Sequence, residues 1–399
     1  MGADRGFTEP GLERLRSALT GHVESGKVPG LVYAISRHGE TQVEAISGAD
    51  PVAQDSIFRI ASMSKPITAV ATLILLEECK IRLNDPIEEW LPELADRKVL
   101  RSIESELDDV VSARRPITVK HLLTFGLGIG IVMAPPGTYP IQRAMEDLEL
   151  GQGFPRPRVA PEPEEWIKRF ATLPLMAHPG ERWIYHTGSD VLGVLIARVT
   201  GQPFAAFLQE RIFAPLGMTG TGFWVPPDKL IRLTKSYTVD YRSGELSLFD
   251  EPATSQWGSP PAFPMGGGGM VSTADDCLAF AQMLLKLGLH GGNRLISKPS
   301  VLTMTSDQLT QPQRDGGGLI DGFWETNGFG YGVSMVTKRD AIWATPGQYG
   351  WDGGLGTMWR NDPEEELSVL LLTQRAMTSP RLPAVFSDFL TCVYQALCN

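Results

Sequence analysis

Ser62 and Lys65 stand three residues apart in the only Ser-x-x-Lys of the chain, Ser62-Met63-Ser64-Lys65. On a helix that spacing puts both side chains on one face. Ile67 to Leu76 is almost wholly apolar, so a helix buried on most sides is expected. Pro66 is tolerated only in a first turn, which starts the helix at or just before Ser62. Burial and the positive end of the helix dipole would lower the pKa of Lys65 and favour a neutral amine. A neutral amine can take the proton of the serine, the Ser-Lys form of nucleophile activation. The same tetrad also fits a helix cap beside a solvated lysine, because about one such match is expected by chance. The chemistry therefore rests on further groups.

Two stretches could supply them. Trp183-Ile184-Tyr185-His186-Thr187 follows a Pro179-Gly180 turn and precedes a helical run from Ser189. A phenol at Tyr185 beside an ammonium would have a lowered pKa and could relay protons; a buried tyrosine bonded to backbone is the alternative. Tyr349-Gly350-Trp351-Asp352-Gly353-Gly354 leads into an apolar strand. Glycines there allow close approach by a ligand. An amide N–H of this stretch, with that of Ser62, could bind a developing oxyanion; a glycine-rich hairpin turn is the alternative.

Other polar residues carry no such role. His121 lies on an apolar helix and reads as a satisfied core histidine. His186 could line a cleft, without an assigned function. No Gly-x-Ser-x-Gly elbow is present, so a Ser-His-Asp route lacks its usual scaffold. No histidine pair has zinc spacing. Gly266 to Gly269 is not followed by Gly-Lys-Ser/Thr, so it reads as close packing against a cleft and not as a phosphate loop. No cofactor is expected.

The elements that must position these groups are legible in outline. Thr8 caps a first helix with Leu12, Leu15, Leu19 and Val23 on one face. Leu31 to Ser36 and Thr41 to Ile46 form a hairpin about Arg37-His38-Gly39-Glu40. The Ser62 helix ends near Cys79-Lys80. Thr118 caps a helix through Thr124. Gly126 to Pro163 is rich in Gly and Pro, with a helical patch at Ala144 to Leu150, and is long enough to form a pocket rim. Helices follow at Glu164 to Ala171, Ser189 to Thr200, Phe204 to Phe213 and Asp275 to Leu287. Strands are expected at Tyr331 to Thr337, Gly354 to Trp359 and Leu367 to Thr373. Pro380 opens a last helix carrying Val385, Phe389 and Val393. Strands at both ends and helices between them predict an α+β fold. One antiparallel sheet would join the N-terminal hairpin to three C-terminal strands, with the first and last helices covering it. The chain is expected to be one catalytic domain over 1–399, with an α/β lobe of 1–61 and 323–399 and a mostly helical lobe of 62–322. A site in the cleft between them follows.

The 399 residues suffice for such a core, and 42% hydrophobic with 21% charged residues is ordinary for a water-soluble globular chain. A net charge of −10 without a long basic run argues against nucleic acid or an anionic membrane as partner. Cys79, Cys277, Cys392 and Cys398 read as reduced thiols of a cytoplasmic protein, with a Cys392–Cys398 bridge as the alternative. The first six residues show no leader signal and no transmembrane span is visible.

Several segments resemble the class C β-lactamase-like serine hydrolases, and within them the family VIII carboxylesterases. They are Phe58 to Pro66, Arg82-Leu83-Asn84-Asp85-Pro86-Ile87, Ile117 to Thr124, Tyr185-His186-Thr187, Gly266 to Asp276, Gly328 to Gly332 and Trp351 to Trp359. Each is short, but together they run through nearly the whole chain in family order. The resemblance implies a β-lactamase/penicillin-binding-protein-like fold, Ser62 as nucleophile, Lys65 as its helix partner and Tyr185 as general base and then acid. It implies Trp351, Asp352 and Gly353 in the substrate-binding place where relatives have Lys-Thr-Gly, with Gly354 giving the second oxyanion N–H beside Ser62. The expected partner is a small-molecule ester, short-chain or aryl. Whether Lys65 or Tyr185 is the principal base, and the oligomeric state, stay open. Three departures stand out. Thr187 replaces an Asn or Ser, Phe125-Gly126-Leu127-Gly128 replaces His-Thr-Ser-Gly, and the third motif has no cation. Trp351 cannot hold a substrate carboxylate and Asp352 would repel one, which suits an apolar ester. A β-lactamase, a D-amino-acid peptidase or amidase, an acyltransferase, and a non-catalytic binding protein are the alternatives.

Overall fold

The hairpin near the N-terminus closes through two residues, His38 and Gly39, both at positive φ (50° and 84°), as a tight turn matched to strand twist requires. Its strands, β1 (Gly30–Arg37) and β2 (Glu40–Ser47), begin a seven-stranded sheet in this computed structural model. The structure describes residues 6–150, 153–240 and 242–398; most of the N-terminal stretch read for a leader lies outside them. The other strands are β3 (Asn327–Phe329), β4 (Ser334–Val336), β5 (Tyr349–Gly353), β6 (Thr357–Asp362) and β7 (Leu367–Thr373). Their order is β3-β4-β5-β6-β7-β1-β2, antiparallel throughout.

The neighbouring strands β1 and β7 are buried along their whole length. Alternate residues face opposite sides of a strand. Leu31, Tyr33 and Ile35 of β1, with Val369 and Leu371 of β7, meet the terminal helices α1 (Glu9–Glu24) and, at the other end of the chain, Ala384–Ala396. Val32 and Ala34, with Leu370 and Leu372, join the larger core of the helical side. The Thr8 side chain accepts the Gly11 N–H and caps α1.

Three strand expectations need correction. The sheet has five C-terminal strands and not three. Tyr349–Gly353 is itself a strand, although its glycines give it little β-propensity; pairing with β6 decides its conformation. The expected strand from Gly354 starts only at Thr357, because Gly356 (φ 94°) turns the chain. The expected strand from Tyr331 starts at Ser334, after a turn at Gly332 (φ 70°).

The middle of the chain is mostly helical but also holds three short hairpins, Lys98–Leu100 with Val110–Ser112, Ser236–Val239 with Leu246–Asp250, and Leu289–His290 with Asn293–Arg294. Three of its helices matter for the site: α2 (Ser64–Glu77), α3 (Val119–Leu123) and α4 (Gly188–Thr200). The helical patch in the Gly- and Pro-rich segment lies at Pro140–Asp147, opened by Pro140 in its first turn, earlier than expected. Asp250, at the end of one short hairpin, forms an ion pair with Arg59; both side chains are almost fully buried.

Candidate active site

Ser62 lies in a single 3₁₀ turn, Ala61–Met63, that runs directly into α2. The α-helix proper therefore begins at Ser64, two residues later than expected. Ala61 is held at φ 43°, a conformation uncommon for a residue with a side chain. The turn is pressed from one side by the sheet. Thr357 of β6 donates its hydroxyl to the Ile60 carbonyl at 3.1 Å. A Cβ on Gly353 would lie 2.3 Å from that same oxygen. Only glycine lets β5 approach this closely, and the approach carries Gly354 to the nucleophile turn. N–H groups in a first helical turn have no intrahelical acceptor, which leaves that of Ser62 available. Among the described residues no acceptor takes the Gly354 N–H. These two groups are the candidate oxyanion hole.

Lys65 is fully buried. Its Nζ is 2.9 Å from Ser62 Oγ and 3.1 Å from His186 Nδ1, and it donates to the Gly267 carbonyl. Burial pushes its pKa down to about 7, with the nearby Asp190 carboxylate opposing the shift. The amine can thus be neutral near neutral pH, as a base requires.

Tyr185 presents the face of its ring to Lys65, 4.6 Å from Nζ to the ring centroid. Phe125 packs edge-on against it at 5.5 Å and Trp183 stacks on it at 5.6 Å. Its hydroxyl accepts the Trp351 indole N–H at 2.8 Å. The phenol does not have the lowered pKa expected from an adjacent ammonium. Burial raises it well above the ordinary tyrosine value; hydrogen bonding with Ser62 and Trp351 opposes this, and the charges of Asp352 and Asp190 add to it. Tyr185 is therefore a protonated phenol, suited to donate.

The third motif divides its tasks. Trp351 faces Tyr185, Gly353 makes room for the nucleophile turn, and Asp352 is held by both terminal nitrogens of Arg360 at 2.6 and 2.9 Å. That pairing offsets the Asp352 charge, so its repulsion of a carboxylate is weaker than that of a free carboxylate.

Three residues of the site were given no catalytic role in the sequence reading: His186, Asp190 and Gly267. His186 contacts Lys65, whereas Thr187 is buried at the start of α4 without a side-chain cap bond. The i,i+4 spacing of His186 and Asp190 is the only hint the sequence offered. Gly267 was read as packing, and a Cβ there would lie 2.9 Å from the Asp190 carboxylate; its backbone also serves both Lys65 and Asp190. His121 belongs elsewhere. Its ring and the Thr118 hydroxyl each accept the other residue's backbone N–H, closing a capping box on α3.

Beside the site opens a cavity of about 420 Å³, lined by Ile131, Leu150, Phe154, Val159, Phe249 and Met265, by the charged Glu146, Glu149 and Arg156, and by His186 and Gly268. It is walled largely by the Gly- and Pro-rich segment. Phe154 approaches Gly354 from this side.

The family model described as Beta-lactamase matches residues 15–385. Protein Rv1367c of Mycobacterium tuberculosis is 37% identical over 88% of this chain and 87% of its own. Esterase EstB of Burkholderia gladioli is 30% identical over 91% of this chain and 90% of its own. Among solved structures, EstCE1, a hydrolase with promiscuous acyltransferase activity, superposes with a TM-score of 0.77 over 96% of this chain and 98% of its own; at 24% identity it speaks to fold alone.

Proposed function

The chain belongs to the Beta-lactamase family of serine hydrolases, and from that premise we propose that it is a carboxylic ester hydrolase (EC 3.1.1) acting on short-chain or aryl esters through an acyl-enzyme on Ser62. The Trp351 N–H on the Tyr185 hydroxyl carries this reading: a neutral donor stands in the third motif, where penicillin-recognising relatives have a cation for the substrate carboxylate. The largely apolar cavity that reaches His186 supports it, as does the likeness to EstB.

In the proposed cycle neutral Lys65 takes the Ser62 proton as Oγ attacks the ester carbonyl. The N–H groups of Ser62 and Gly354 hold the oxyanion. Tyr185 gives its proton to the departing alkoxide and is reprotonated from the Lys65 ammonium. Water then attacks the acyl-enzyme by the same route in reverse and releases the acid. Interception of the acyl-enzyme by an alcohol is the second reading. It needs no group beyond those already in the site. The four free thiols support the expected cytoplasmic location.

A phosphonate probe followed by peptide mass analysis tests the nucleophile: modification at Ser62 is expected, and its absence would favour a binding protein. Turnover of an aryl ester against a chromogenic cephalosporin tests the substrate class. A higher kcat/KM for the cephalosporin would overturn the ester reading. Product analysis with an added short alcohol separates hydrolysis from acyl transfer.

A further inference from the structure

We infer that His186 and Asp190 are positioning residues that point the lone pair of the neutral Lys65 amine at the Ser62 hydroxyl, so that in the resting enzyme the amine is set to accept the serine proton. This rests on the reading of Ser62 as nucleophile.

The direction follows from donors and acceptors. Asp190 is 2% exposed. One of its oxygens accepts the Gly267 N–H at 2.7 Å and the other is 3.3 Å from His186 Nε2. A carboxylate only accepts, so Nε2 carries the imidazole hydrogen and Nδ1 is left as an acceptor. Nδ1 faces Lys65 Nζ at 3.1 Å. The Gly267 carbonyl, also an acceptor only, faces Nζ from another side. A neutral amine has two N–H bonds and one lone pair. Nδ1 and the carbonyl engage both N–H bonds, and the remaining direction is that of Ser62 Oγ at 2.9 Å. The lone pair therefore points at the serine. When the proton moves from Oγ to Nζ as Oγ bonds to the carbonyl carbon, the ammonium keeps both acceptors, and Asp190 opposes its charge through the imidazole.

The geometry is specific to these residues. His186 sits at φ 95°, a strained setting for a histidine, and such settings persist where a side chain must be aimed. Burial, and the Lys65 charge once the amine is protonated, lower the imidazole pKa against the pull of Asp190. The remaining charge on this side is Asp352 on β5, which acts on Tyr185 and is paired with Arg360. No other acceptor for Nζ is present among the described residues.

Three variants decide the matter. His186→Gly suits the positive φ and leaves room for added imidazole. Its kcat/KM on an aryl ester should fall about a hundredfold at little change in KM, since a misaimed base loses about that much. Imidazole should restore part of the loss. His186→Asn tolerates the same φ and offers Lys65 an oxygen, so it should retain more activity than the glycine variant. Asp190→Asn would turn an amide N–H toward Nε2 and put the imidazole hydrogen on Nδ1, facing Lys65. By analogy with the effect of a wrong tautomer on a catalytic histidine, it should lose about a hundredfold or more in kcat at an unchanged melting temperature. The inference is overturned if the asparagine variant at 190 stays within about twofold of wild type. It is equally overturned if the folded glycine variant keeps wild-type rates, or suffers a loss that neither imidazole nor His186→Asn recovers. Should the glycine variant fail to fold, the other two decide alone. Phosphonate labelling separates this from the reading beneath it. Wild type unlabelled at Ser62 removes the nucleophile itself, whereas wild type and His186→Gly labelled at equal rates remove only the role of His186.

Discussion

The indole N–H of Trp351 and the phenolic oxygen of Tyr185 are hydrogen-bonded at 2.8 Å across two elements 166 residues apart. The bond spends one acceptor position of the phenol and leaves its own hydrogen free to turn toward Ser62. A neutral donor gives the phenolate far less support than an ammonium would, which together with burial keeps Tyr185 protonated at rest.

Trp351→Phe should keep the aromatic packing and lose only the donor. A neutral hydrogen bond contributes about 1 kcal/mol, so kcat on an aryl ester should fall about fivefold. Tyr185→Phe removes the proton donor itself and should cost about a hundredfold to ten-thousandfold. Steady-state kinetics of the two variants checks the ratio; equal losses would mean that the indole bond has another purpose.

The pH–rate profile should report Lys65. Only the neutral amine can take the serine proton, so kcat/KM should rise with pH and level off above about 7. Stability should follow the same group. The native pKa lies below the ordinary 10.5, so between about 7 and 10.5 the unfolded chain holds a proton that the native one lacks. Stability from this group therefore rises with pH across that window. Urea melts at several pH values check it, and Lys65→Met should flatten the slope.

Asp250→Ala leaves the Arg59 guanidinium buried without its carboxylate, three residues before the nucleophile. Breaking a buried pair in this way costs about 3–5 kcal/mol. A marked drop in the urea midpoint is expected, with activity of the folded fraction reduced as well. A midpoint unchanged from wild type would mean that water reaches Arg59.

Gly353→Ala places a methyl group 2.3 Å from the Ile60 carbonyl and 2.2 Å from the Thr357 hydroxyl. Either β5 or the Ser62 turn must retreat, at about 1–3 kcal/mol for overpacking. Phosphonate labelling of Ser62 should slow more than stability falls, because Gly354 moves away with β5. Labelling at the wild-type rate would show that the hole does not depend on this contact.

Much of the scaffold was legible because its patterns are local. The apolar faces of the Leu15-Leu19-Val23 and Phe389-Val393 helices, the Thr8 and Thr118 caps and the His38-Gly39 turn each follow from a few neighbouring residues. β5 was not legible. Tyr349-Gly350-Trp351-Asp352-Gly353 reads as a glycine-rich loop, and it is a strand only because β6 and β4 lie on either side of it. The start of α2 was misplaced by two residues because the 3₁₀ turn at Ser62 is imposed by Ile60 being bonded to the sheet.

The sequence by itself determined the Ser62–Lys65 pairing, since a three-residue step on one helix needs no tertiary partner to bring two side chains together. It also determined that Trp351 could bring no cation. Which groups surround Lys65 was decided only by tertiary structure. His186, Asp190 and Gly267 come from two segments more than a hundred residues away from it in the chain. The protonation of Tyr185 was decided there too, because desolvation depends on what covers a group and not on its neighbours in sequence.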